Sequence, residues 1–136
     1  MSNWTHVAGI VRLDAVRCLR SHDDPLFDKM FGKECLYNSP SDVWRDYEDH
    51  PDDYLPMGSE GSLHKSVWIN PDKGEMAAYT VSIFGDLRDH DSTAEIIEWF
   101  KEKCKSVLKY DCWIRNAVIT AENEWGGTET WTYKEK

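Results

Sequence analysis

Five histidines lie among 25 acidic residues in this 136-residue chain, so the first chemistry to weigh is an imidazole beside a carboxylate. His6 and His64 fall in stretches that read as strands, and next to an Asp or Glu either would make an acid/base couple. A lone strand histidine is more often a hydrogen-bonded packing residue, and that is the reading taken for both. Asp86, Asp89, His90 and Asp91 crowd the turn ahead of a helix, where oxygen and imidazole ligands could hold a divalent cation. Asp, Ser and Thr also gather before helices because they cap them, and this account has more support. His22-Asp23-Asp24 reads as a cap and turn, and Asp49-His50-Pro51-Asp52-Asp53 as a solvated loop.

The C-terminal end carries a sharper pattern. Gly126-Gly127 reads as the two-residue loop of a hairpin, which sets Trp125 against Thr128, Glu124 against Glu129 and Glu122 against Trp131. Like charges directly opposite destabilise a sheet. Glu122, Glu124 and Glu129 would then form one acidic patch beside Trp131 and Tyr133, meeting a cation or basic partner or guarding a solvated edge.

The rest of the catalytic vocabulary is absent. The chain has no Gly-rich phosphate loop, no Gly-x-Ser-x-Gly elbow, no His-Glu-x-x-His and no paired-cysteine zinc spacing. No catalytic residue, metal or cofactor is assigned, and the reading leans away from an enzyme. Cys18, Cys35, Cys104 and Cys112 are expected as free, mostly buried thiols. The formal charge of −9 repels nucleic acid and anionic membranes and permits a basic partner. Without an apolar leader or a spanning run, a soluble cytoplasmic protein is expected.

The elements that must position these groups centre on residues 76–108. Tyr79, Val81 and Ile83 alternate with Ala78, Thr80, Ser82 and Phe84, the period of a strand. Ser92 with Glu95 matches a capping box. Ile96, Ile97, Phe100, Cys104, Val107 and Leu108 then recur on one face, which predicts a helix over 92–109. Upstream, Thr5, Val7, Gly9, Val11 and Leu13 alternate with Trp4, His6, Ala8, Ile10 and Arg12 as a strand. Asp14 is placed as the cap of a short helical turn through Leu19. Asp24-Pro25 opens a short helix with a Leu26, Phe27, Met30 and Phe31 stripe, stopped at Gly32. Residues 63–69 form a strand, Asn70–Gly74 a turn, and Cys112–Glu124 a long strand with Thr128–Tyr133 returning beside it.

This order predicts one α+β domain over 1–136. Its pattern is β-α-β-β-α-β plus one, the split β-α-β or ferredoxin-like plan, with four or five antiparallel strands and helices on one face. Residues 33–61 interrupt it with an acidic loop, too long to be structureless in a packed domain and too aromatic to be disordered. Ser39-Pro40 could start a turn of helix there that includes Val43, Trp44 and Tyr47.

If helices cover one face only, the other presents aromatics, with His64, Ser66 and Trp68 from one strand and Trp131 and Tyr133 from another. The loop folded over them is the first expected cover and a second subunit the next. The preferred function is a non-enzymatic interaction or regulatory domain. It would bind a protein partner, a basic surface or its own copy, through that face or the loop, whose contact candidates are Trp44, Tyr47 and Tyr54. Two alternatives stand beside it. One is a small enzyme or small-molecule binder with a pocket between residues 42–61 and the sheet, using His64 and Trp68. The other is an acidic mimic of nucleic acid, which needs its carboxylates in rows on one face.

Overall fold

The computed structural model describes residues 2–15, 24–69, 77–90 and 92–134. It is an α+β fold with three helices and a five-stranded antiparallel sheet. In chain order the elements are β1 (Trp4–Ala15), α1 (Pro25–Phe31), α2 (Ser41–Asp49), β2 (His64–Ile69), β3 (Ala77–Arg88), α3 (Thr93–Ser106), β4 (Cys112–Asn123) and β5 (Thr128–Thr132). The spatial order is β2-β3-β1-β4-β5.

Alternation decides which side of each strand is buried. Val7, Val11 and Leu13 of β1, Tyr79, Val81 and Ile83 of β3, and Ala117, Ile119 and Ala121 of β4 all point into one core. The helices supply the other half. α3 begins as its capping pattern foretells, with Ser92 Oγ accepting from the Glu95 amide at 3.2 Å, and buries Ile96, Ile97, Phe100 and Cys104. A 3₁₀ turn over Val107–Tyr110 ends it. In α1, the Asp24 carboxylate accepts from the Leu26 amide at 2.9 Å, and Phe27 meets Tyr79 edge-on at 5.7 Å.

Four expectations are corrected. β1 runs to Ala15, so Asp14 is a strand residue; the rest of the helical turn placed after it lies outside the described residues, as do Cys18, His22, Asp23, the Asn70–Gly74 turn and Asp91. β3 extends to Arg88, which puts Asp86 in the sheet. The acidic excursion is not a loop throughout, since α2 and a 3₁₀ turn at Pro51–Asp53 occupy part of it.

The fourth correction concerns the C-terminal hairpin. Glu122 faces Thr128 and Ala121 faces Glu129, a slip of three residues from the Glu122–Trp131 pairing. Its cause is local. The Asn123 side chain accepts the Trp125 amide at 3.0 Å, and the Asn123 carbonyl accepts that of Gly126 at 3.1 Å. This asparagine turn starts the reversal earlier than the glycine pair would. An odd slip exchanges the two faces of a strand. Trp131 and Tyr133 therefore lie on the helix side, where the Trp131 ring meets Phe100 at 5.8 Å.

Candidate binding face and cavity

The pairing registers lay the uncovered face out in rows. His64, Phe84, Ala8, Thr120 and Thr130 form one row across the five strands. Ser66, Ser82, Ile10, Val118 and Thr132 form the next, and Trp68, Thr80, Arg12 and Asn116 the one beyond. The row on the other side of Phe84 holds Asp86, His6, Glu122 and Thr128. The middle of the face is thus apolar or hydroxylated. Asp86 and Glu122 stand at one end; at the other are Arg12, hydrogen-bonded to Asn116 at 2.8 Å, and beyond it Asp14, which Arg115 meets at 3.3 Å. The residues of the excursion do not lie over this face, because Trp68 remains 57% exposed and Phe84 and Trp113 44% each. That corrects the expectation that the loop covers it.

At the acidic end His6 is held from both sides. Nδ1 lies 2.6 Å from Asp86 Oδ1 and Nε2 lies 3.0 Å from Glu124 Oε2. The Asp86 hydrogen bond first, and that of Glu124 second, raise the His6 pKa above 6.5, since both carboxylates favour the imidazolium. In the protonated ring each nitrogen donates to a carboxylate, and no lone pair is left for a base to use. Glu124 is itself fixed, as its Oε1 accepts the Trp4 amide at 3.2 Å. His64 stacks on Phe84 at 5.7 Å, and among the described residues no carboxylate pairs with it.

The excursion instead builds a cavity of about 630 Å³ at the Trp4 end of the sheet. Trp44 and Tyr47, one helical turn apart on α2, are two walls whose rings meet at 88° and 6.1 Å. Tyr47 leans in turn on Tyr54 at 5.5 Å. The Tyr54 hydroxyl, donating to Asp46 Oδ2 at 2.6 Å, is pushed up to about 12 by burial and then by that carboxylate; the same bond holds Asp46 below its usual range. Trp4 and Met57 add further wall, and residues 58–61 the rim. This rim is docked on β3: Ser59 N donates to Arg88 O at 2.9 Å and Arg88 N to Glu60 O at 3.0 Å. Gly61 makes the docking possible. Its φ is +79°, and a Cβ there would sit 2.1 Å from the Asp86 carbonyl oxygen.

The expected contact residues therefore separate. Trp44 and Tyr47 line the cavity, Tyr54 is buried behind them, and His64, Trp68 and Glu122 are on the open face. Glu124 holds His6, while Glu129 accepts from the Thr93 hydroxyl at 2.8 Å. The three glutamates do not make the single patch foreseen, because the hairpin slip sends Glu129 to the helix side. Trp4, Met57 and Gly61 carry no sequence signal of a site, although Trp4 alternates on the same side as His6, and Asp86, weighed as a cap or cation ligand, instead pairs with His6. Among the described residues no three His, Cys, Asp or Glu side chains are grouped to hold a metal. Cys35 and Cys104 are free and buried, Cys112 is buried, and burial pushes the Cys104 thiol up to about 12. No described helix is long and apolar enough to cross a membrane.

Compared with protein-family models, with curated proteins and with solved structures, the chain gives no match.

Proposed function

We propose that this protein is a non-enzymatic interaction domain whose working surface is the uncovered face of the sheet, and that the face takes a second copy of the chain. The carrying observation is the exposure of Trp68, Phe84 and Trp113 on a face that also holds Ile10 and Val118. Exposed large aromatics on one uncovered sheet face favour an interaction site. The charge layout favours self-association. A two-fold axis lying between two such faces, perpendicular to the strands, sets the Asp86–His6–Glu122 row of one copy over the Arg12 row of the other, with the Ala8 and Ile10 rows in contact at the centre. Two further observations weigh against the alternatives. Both His6 nitrogens are committed to carboxylates, which disfavours an acid/base enzyme. The carboxylates of α2 and those beside His6 belong to separate elements, which disfavours a mimic with one charged row.

The same reading includes the split β-α-β plan. Its support is that β3 lies between β1 and β2, and β1 between β3 and β4, so that each strand–helix–strand unit brackets a strand of the other.

Sedimentation of the full chain across a concentration series tests the dimer. The expected result is a monomer–dimer equilibrium that Phe84→Ser shifts to monomer, while far-UV circular dichroism and the urea midpoint at a concentration where the parent is also monomeric show that the variant is folded. A monomer at every concentration would remove the second copy and leave a basic heterologous protein as the occupant, recognisable by binding that weakens steeply with salt.

A further inference from the structure

The aromatic cavity lies at the Trp4 end of the sheet and offers different chemistry from the open face. Its lining includes the rings of Trp4, Trp44 and Tyr47 and the side chain of Met57, and among the described residues its one charged member is Glu60, which Arg88 pairs at 2.7 Å. Among the described residues no lysine or arginine belongs to the lining, and the Arg88 guanidinium nearby is already bound to Glu60. The Trp44 and Tyr47 ring planes stand at 88°, and a cation seated in a corner of that angle is attracted by the ring quadrupoles without needing a hydrogen bond. The charge of −9 on the chain raises the local concentration of cations, and α2 places Asp42, Asp46, Glu48 and Asp49 on the same helix as the two walls.

The corner is also held before any ligand arrives. Trp44 and Tyr47 are spaced by one turn of α2, Tyr47 is backed by the buried Tyr54, and Tyr54 is anchored to Asp46 of that same helix. The opposite rim is fixed by the main-chain bonds between residues 59–60 and Arg88, and Gly58 N closes its own turn on Gly61 O at 3.0 Å. A strongly hydrated ammonium would give up several hydrogen bonds to enter such a lining. An alkylated one would not, since its methyl groups fill apolar space while its charge stays diffuse. About 630 Å³ holds a trimethylammonium head with a chain attached.

We propose that this cavity is a binding site for a quaternary or methylated ammonium group, as a free alkylammonium compound or as a methylated lysine side chain.

The test uses the full chain and two probes, choline and a short peptide carrying trimethyllysine. Their controls are 3,3-dimethylbutan-1-ol, the neutral isostere of choline, and the unmethylated peptide. Titrations followed by tryptophan fluorescence and by amide NMR shifts should show at least one charged methylated probe binding about tenfold tighter than its control, the ratio expected for a desolvated cation over two ring faces. Trp44→Leu, which keeps apolar bulk and removes the ring, should remove that preference, and Trp68→Leu on the open face should leave it unchanged. Should Trp44→Leu unfold, cross-relaxation from the probe methyl groups to the Trp44 and Tyr47 ring protons of the unaltered chain decides the location. Preference for choline alone assigns the free compound as source, and preference for the peptide assigns the side chain. Equal affinity for probe and control, absence of binding by both probes, or contacts away from Trp44 and Tyr47 would overturn the assignment.

Discussion

Replacing Gly61 by alanine probes the contact on which both the cavity rim and the end of the sheet depend. Two costs add. At a φ of +79° an L-residue carries strain of about 1–2 kcal/mol relative to glycine. The new Cβ would also lie 2.1 Å from the Asp86 carbonyl oxygen, and a backbone atom cannot rotate aside as a side chain can. The rim must lift, and with it go the hydrogen bonds that join Ser59 and Glu60 to Arg88, each contributing about 1 kcal/mol. The expected loss is about 3–4 kcal/mol, or roughly 10 °C in melting temperature for a chain of this size. Gly127 is the control: nothing lies within 4 Å of its would-be Cβ, so Gly127→Ala should stay within about 0.5 kcal/mol of the parent. Urea unfolding at one fixed protein concentration gives the comparison, and hydrogen exchange at the Ser59 and Arg88 amides reports whether the rim is the part that lets go. Equal midpoints for the two variants, or an Arg88 amide still protected in Gly61→Ala, would refute the reasoning.

The His6 bracket predicts a titration in NMR with a midpoint above 6.5, which Asp86→Asn lowers more than Glu124→Gln does, because the Asp86 bond is the larger cause. A raised pKa in the folded state means that the bracket stabilises the fold fully below about pH 6.5 and that this stability is lost as pH rises through the folded value; stability rising across that window because of His6 would contradict the pairing. The hairpin slip predicts that Trp131→Ala, which removes a ring half-buried against Phe100, costs about 2–3 kcal/mol. Trp68→Ala, at a position 57% exposed, should cost under about 1 kcal/mol. Urea midpoints in the reverse order would put Trp131 back on the open face.

What could be read from the sequence was what depends on near neighbours. The Ser92 cap, the apolar stripe of α3, the alternation of β1 and β3, and the Asp24-Pro25 start of α1 are set by residues within a few positions of one another, and each is found. The hairpin register is local and still departs from its pattern, because two signals compete. Gly126-Gly127 favours a tight turn, whereas the Asn123 side chain captures the Trp125 amide and the displaced register buries Trp131 instead of exposing it. The burial of a tryptophan outweighs a turn preference. The His6 bracket had no local signal, since Asp86 and Glu124 lie 80 and 118 positions away in sequence. The cavity was legible only as a surplus of aromatics in an acidic stretch. That Trp4, from the start of β1, completes it follows from β1 pairing with β3, and no pattern within residues 33–61 states that pairing.

The treatment of the sheet edges bears on how two copies would meet. Beside β2, Glu34 Oε1 accepts the Lys65 amide at 2.6 Å, a main-chain donor that a new strand would otherwise use. The Lys65 ammonium is drawn inward to Asp28 Oδ1 at 2.5 Å and the Gly32 carbonyl at 2.6 Å, which ties α1 against the same edge. Past the start of β2, residues 59–60 take the place of a neighbouring strand by bonding to Arg88. At the other side of the sheet β5 is five residues long and carries Glu129. Short, charged edge strands and side chains that occupy edge amides are how sheets resist growth by added strands. With both edges defended and the helices occupying one face, the surface left for association is the remaining face, where Phe84 and Ile10 have hydroxyl and apolar neighbours and the charges stand only at the ends. Contact between copies should therefore be face to face, with hydrophobic burial supplying the attraction and the end rows fixing the direction in which one sheet lies on the other.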